Sequence, residues 1–219
     1  MAFLKGQDDG SGLGECIMTI AENYPADVLH TMMNLLGTHD TPRILTVLGG
    51  EGDGNGEDKE LLSTFRLTEE QRRLGLQRLR LASFLEFTLP GSACIYYGDE
   101  AGMEGCKDPF SRGCFPWGQE DEELQAHYRA LGRLKTGTPA LQTGAVQVQT
   151  AGNGRLSFTR TLEPKPGQDN EAAEMVECYV NLSTEPWTVE PGTLLFGIEA
   201  EESTEGIIIQ QNDCAAIGR

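Results

Sequence analysis

An imidazole, a carboxylate and a guanidinium fall within five residues at His39, Asp40 and Arg43, directly after the short apolar run Met33 to Leu36 and the turn residue Gly37. Groups of these types can hydrogen-bond a neutral ligand or stabilise positive charge as it develops. Met33 to Leu36 is too short and too uniformly apolar for an amphipathic helix, so it is read as a buried strand ending in a loop that presents the polar groups. Taken alone, the His-Asp pair is better read as a polar loop that merely caps a turn, and only a second stretch tilts the balance. That stretch has the same design: Ala93 to Tyr97 is apolar and ends in Gly98-Asp99-Glu100, and Asp108 and Arg112 follow at a spacing of four. Asp99 and Glu100 look like a pair of reacting carboxylates. Consecutive residues leaving a strand point to opposite faces, however, so these two are read as structural hydrogen-bonders, and Arg43 as an anchor of its loop. Trp117 offers either an aromatic floor for a ligand or a plug that packs its loop down.

Other chemistries find less support. Asp53 to Asp58 imitates the start of a calcium loop, but Asp58 stands where the sharp turn needs glycine and no glutamate follows at the twelfth position, so a solvated loop is expected. The six cysteines form no Cys-x-x-Cys pair and are read as reduced thiols in a cytoplasmic setting. The three histidines are scattered, and neither a metal site nor a cofactor is expected. A formal charge of −17 repels phosphate backbones and anionic bilayers, which argues against nucleic acid or membrane as partner and leaves neutral ligands open. No run is apolar and long enough to span a bilayer, and the first residues lack a secretory apolar core.

The elements that must position these groups are legible in outline. Leu13 to Asn23 has helical spacing and stops at Tyr24-Pro25. Ile44 to Leu48 is a short apolar piece, and Gly49 to Glu60 reads as loop. Thr68 caps a long helix reaching Leu89, with a wide apolar face and an arginine stripe (Arg72, Arg73, Arg78, Arg80) read as a solvated face. The long helical connection between the two strands implies that they are parallel. Another helix runs from Asp121 to Lys135 and ends at Gly137-Thr138-Pro139. Alternating runs then follow, at Val146 and Val148, Leu156 and Phe158, Val176 to Val180, Trp187 and Val189, Leu194 to Phe196, and Ile207 to Ile209. They predict an antiparallel β domain. The expected division is 1–138 and 139–219.

Asn34-Leu35-Leu36-Gly37-Thr38-His39-Asp40-Thr41-Pro42-Arg43 resembles the motif after the seventh barrel strand of the alpha-amylase superfamily, glycoside hydrolase family thirteen. Tyr96-Tyr97-Gly98-Asp99-Glu100-Ala101-Gly102-Met103, with Asp108-Pro109-Phe110-Ser111-Arg112, resembles the motif after the eighth. Within the superfamily the likeness is to the neopullulanase, cyclomaltodextrinase and maltogenic amylase group. The resemblance implies an α/β plus β fold: the C-terminal portion of a (β/α)₈ barrel, its last two strands and helices, followed by an antiparallel β-sandwich. A complete barrel needs about 250 residues. It implies a retaining α-glucan hydrolase acting on α-1,4 or α-1,6 glucosidic bonds, with Asp40 as transition-state stabiliser and His39 beside it on the sugar. Asp108 and Arg112 would line the next subsite, although a mutual salt bridge fits that pair as well. The family's nucleophile and general acid follow barrel strands four and five, which are not expected here, so this chain alone is expected to be inactive. The partners implied are an α-glucan oligosaccharide and either the missing N-terminal barrel part or a second copy. A non-catalytic carbohydrate-binding or interaction module is the alternative.

Overall fold

The computed structural model describes residues 1–50, 58–164 and 172–219, so most of the calcium-loop-like stretch lies outside the described residues. Two compact units emerge, one of Met1–Met33, Phe87–Ser92 and Leu131–Arg219, the other of Asn34–Glu86 and Ala93–Ala130.

The first unit opens with α1 (Ser11–Asn23) and α2 (Ala26–Thr31). Helix α1 lies against a strand of the sheet described below, and Gly14 is what lets it approach: a Cβ there would sit 2.5 Å from that of Ala151. In the second unit, β1 (Met33–Leu35) begins the chain's course, followed by α3 (Ile44–Gly49), α4 (Lys59–Thr64), α5 (Glu69–Thr88), β2 (Ser92–Cys94) and α6 (Glu122–Gly137). Several of these elements run on across the division between the units. After α6 come α7 (Pro139–Thr143), β3 (Ala145–Gly152), β4 (Arg155–Leu162), β5 (Glu174–Asn181), β6 (Trp187–Val189), β7 (Thr193–Gly197), β8 (Glu201–Ser203), β9 (Gly206–Ile209) and β10 (Asp213–Gly218).

Strands β3-β4-β5-β10-β7 form one antiparallel sheet and β6-β9-β8 another. Tyr179, Val189, Ile207, Ile209, Ala215 and Ile217 make a core to which both sheets contribute. β10 went unread in the sequence. It is a central strand, and Cys214 to Ile217 are all buried, so no alternation of apolar and polar residues marks it. Its first residue, Asp213, is buried and accepts hydrogen bonds from the amides of Ile198, Glu199 and Cys214, which ties down the turn after β7. Arg160 of β4 is wholly buried and donates to Gly144 O and to Thr88 O at the end of α5, satisfying a helix-terminal carbonyl.

In the second unit α5 is opened by a reciprocal cap: Thr68 Oγ1 accepts from the Gln71 amide at 3.2 Å and Gln71 Oε1 from the Thr68 amide at 3.0 Å. Leu81 to Thr88 are buried without a break, so the last turns of α5 have no solvent face. The arginine stripe is a solvated face only in part: Arg73 is exposed, but the other three have partners. Arg72 binds Glu104 at 2.6 Å and Gly102 O, Arg78 donates to Leu48 O, and Arg80 pairs with Glu123 at 3.1 Å. These three arginines tie α5 to α3, to the start of α6 and to the loop at Gly102 to Glu104. Ile44 to Leu48 turns out to be helical, with Ile44, Leu45 and Leu48 buried.

The strand read at Met33 to Leu36 is present as β1, not buried as in a closed barrel but with its apolar side chains meeting water, as expected of a barrel fragment. β1 and β2 form a two-stranded sheet in which Met33 is 65% and Leu35 48% exposed, and Ile95 and Tyr97 beyond β2 are also exposed. Two strands cannot cover both of their own faces, and apolar composition by itself cannot supply the missing neighbours.

Candidate functional site

The loops after β1 and β2 meet within the second unit. The Arg43 amide donates to Gly105 O at 2.9 Å, and the Gly105 amide donates to Thr46 Oγ1 at 2.9 Å. Beneath the meeting point Arg43, with its guanidinium wholly buried, lies 3.3 Å from Asp99 Oδ1 and donates to Tyr97 O. Its guanidinium carbon stands 4.3 and 4.5 Å from the ring centroids of Tyr96 and Tyr97, within cation–π range. Gly37 leaves room for the same carboxylate, since a Cβ there would stand 2.7 Å from Asp99 Oδ2. Arg43 and Asp99 thus hold the scaffold rather than face solvent, and Glu100 accepts from the Gly98 amide at 2.8 Å.

On the exposed side the four residues singled out in the sequence come together. His39 Nε2 lies 3.2 Å from Asp40 Oδ2, Arg112 Nη2 lies 3.4 Å from Asp40 Oδ1, and Arg112 Nε lies 2.7 Å from Asp108 Oδ1. Arg112 therefore bridges two carboxylates contributed by two loops that are distant in sequence. Its Nε also donates to His39 O at 3.1 Å, and Ser111 Oγ donates to the same carbonyl at 3.2 Å. The Ser111 contact was not foreseen; only the fold brings a residue of the second loop under His39. Asp108 joins Pro109 through a cis peptide bond. Exposed ion pairs contribute about 0–1 kcal/mol each, so this cluster adds little to stability. What it offers is a set of donors and acceptors facing solvent, suited to hydroxyl groups.

Trp117 does not pack its loop down: it is 81% exposed, with the Phe115 ring 4.6 Å away. Tyr97 lies closer to the cluster, its hydroxyl donating to Gly113 O at 2.7 Å beside Arg112. All six cysteines are free thiols, and among the described residues no group of metal-ligating side chains is gathered. No helix among the described residues is long and apolar enough to cross a membrane.

Buried acids lie below the site. Glu86, on the fully buried part of α5, has its carboxyl pushed up to about 7 by burial, helped by the nearby charge of Asp99. Asp99 is also raised to about 7 by burial, with Arg43 opposing the shift.

Known proteins similar to this chain identify its family. Residues 14–152 match the model of the alpha amylase catalytic domain. The chain is 40% identical over 171 residues to an amylopullulanase of Thermoanaerobacterium thermosulfurigenes, covering 73% of this chain and 9% of that protein. It is 32% identical over 182 residues to a cyclomaltodextrinase of Geobacillus thermopakistaniensis, covering 79% of this chain and 27% of the relative. Among solved structures, a debranching enzyme from Nostoc punctiforme superimposes with a TM-score of 0.73 at 27% identity, over 96% of this chain and 40% of that one. The type III pullulan hydrolase from Thermococcus kodakarensis gives 0.71 at 26% identity, over 100% of this chain and 34% of its own. The chain spans well under half the length of each of these proteins, and its fold derives from the (β/α)₈ barrel of their catalytic domains. It belongs to the alpha-amylase family.

Proposed function

We propose that this chain is the C-terminal portion of a retaining α-glucan hydrolase: the last two barrel strands with their helices in 1–138, then a β-sandwich domain in 139–219. The observation that carries the reading is the convergence of His39, Asp40, Asp108 and Arg112 on one exposed surface, at the ends of the two strands whose loops resemble the family's motifs. In an (β/α)₈ enzyme this is the end of the barrel where chemistry takes place.

In this reading Asp40 accepts hydrogen bonds from hydroxyls of the sugar whose bond is cleaved. Those bonds strengthen as oxocarbenium-like charge develops, and that difference between ground and transition state is what accelerates the reaction. His39 donates to the same ring. Arg112 holds Asp40 and Asp108 in place and shares with Asp108 the vicinal hydroxyls of the neighbouring sugar. The nucleophile and the general acid are contributed by the rest of the catalytic domain.

The expected ligand is an α-glucan oligosaccharide. Titration with maltotriose should shift the His39 imidazole signals in an NMR spectrum, and Asp108→Ala or Arg112→Ala should weaken the response about fivefold, the worth of one hydrogen bond to a neutral sugar at about 1 kcal/mol. Signals that stay still, or an affinity at His39 untouched by both substitutions, would rule out this assignment of the cluster.

The exposed side chains of Met33, Leu35, Ile95 and Tyr97 support a second element of the proposal, that the preceding barrel strands or a second copy of the chain cover the β1–β2 sheet. Light scattering should show a mass above the monomer that grows with concentration; a strictly monomeric chain would remove the second copy.

A further inference from the structure

An open cavity of about 340 Å³ lies in the first unit, over the strands β3 to β6 and remote in sequence from the His39 cluster. Its size falls in the range of small-molecule sites. Six of its lining residues decide its chemistry: Trp187 and Tyr179, Glu177 and Glu190, Gln149 and Thr188.

The aromatic part is held in place before any ligand arrives. Trp187 and Tyr179 meet edge to face with centroids 5.2 Å apart and planes at 88°. The Arg155 guanidinium stands 5.3 Å from the Trp187 ring centroid and donates to Glu185 O and Pro186 O, fixing the chain just before Trp187. Tyr179 donates its hydroxyl to Glu177 Oε2 at 2.7 Å, and Arg219 Nε donates to the same oxygen at 2.6 Å. A side chain immobilised in advance loses little entropy on binding.

The polar part points to a neutral ligand. Glu177 is already paired with Arg219, and Glu190 adds a negative charge to the lining that disfavours an anion. A bare cation needs oxygens at about 2.3–2.6 Å on several sides, which a cavity of this width does not supply. An indole and a phenol ring beside carboxylate, amide and hydroxyl groups match a sugar: apolar C–H faces to lie on the ring, and hydroxyls around the rim to donate and accept. We infer that this cavity is a second carbohydrate-binding site, taking a short neutral α-glucan and built independently of the His39 cluster. The choice of α-glucan among neutral polyols rests on the family reading above; the site itself rests on the lining.

The two sites can be read separately, because Trp187 is one of only two tryptophans. In a Trp117→Phe background, Trp187 emission should change saturably with maltotriose in the millimolar range. Glu190→Ala, an exposed position outside the core, should weaken that response several-fold. In calorimetry Trp187→Ala should weaken maltotriose binding at this site at least tenfold while Trp187→Phe retains part of it. Asp108→Ala and Arg112→Ala should leave the Trp187 response unchanged. Emission that does not respond to maltotriose, or a response indifferent to Glu190→Ala, would overturn the inference even with the His39 signals behaving as proposed. A Trp187 response alongside silent His39 signals would support this site and count against the other.

Discussion

The purified chain is expected to leave pullulan, starch and cyclodextrins uncleaved. Glycoside hydrolysis needs one carboxylic acid to protonate the leaving oxygen and a second carboxylate as nucleophile or base, placed about 5–9.5 Å apart on either side of the bond. The exposed cluster has two carboxylates, but both are bridged by the same guanidinium, Arg112, which holds them together rather than on opposite sides of a bond. The other carboxylates beneath the site, Asp99 and Glu86, are 2% and 4% exposed and out of reach of a polysaccharide. General acid catalysis alone is worth about 10²–10⁴ in rate, and the nucleophilic route is lost with it. Reducing-sugar release should therefore equal the buffer blank. Steady turnover that copurifies with the chain and vanishes with Asp40→Asn would show that the reacting pair lies here after all. Supplying the preceding barrel strands on a second chain should restore cleavage, and Asp40→Asn should then lower kcat by about 10²–10³, the usual cost of removing one preorganised transition-state partner.

The second large effect is on stability. The protein should be markedly more resistant to denaturant at pH 5 than at pH 8. Glu86 has an ordinary value of 4.5 that burial raises to about 7, so the folded state holds this proton more tightly than the unfolded chain. Unfolding between these values releases it. Stability from this group is complete below about 4.5, falls as pH rises, and is lost above about 7. At about 1.4 kcal/mol for each tenfold change in proton affinity, Glu86 accounts for roughly 3 kcal/mol. Asp99 acts in the same direction, moderated by Arg43. Denaturant titrations of the wild type and Glu86→Gln provide the check. Gln carries no charge, so it should flatten the profile and stabilise the protein chiefly at the alkaline end. A Glu86→Gln profile parallel to wild type would mean that relief of the chain's overall negative charge, not this buried acid, governs the response.

Much of the site was written in the chain itself. His39, Asp40 and Arg43 are neighbours, Asp108 and Arg112 are a turn apart, and each group follows a short apolar run, so local residue types were enough to single them out. Helices α5 and α6 were legible for a related reason: a long apolar period opened by a capping residue, Thr68 or Asp121, is a local signal. Most of the strands from β3 onward were visible as alternating runs, though β8, three exposed polar residues, was not. Neither was β10, because a central strand of small buried residues has no polar face to mark it. Arg72, Arg78 and Arg80 on α5 are not solvated as their pattern suggested, because only the fold decides which carbonyls and carboxylates lie within reach of their guanidinium groups. The two motif loops could be named from the sequence, but that Arg112 spans Asp40 and Asp108, and that Arg43 and Asp99 lock together under two tyrosines, depends on residues more than fifty positions apart being brought into contact. Composition likewise marked Met33 and Leu35 as a strand suited to a barrel interior. Burial is a property of neighbours, however, and the tertiary structure leaves these two residues facing water.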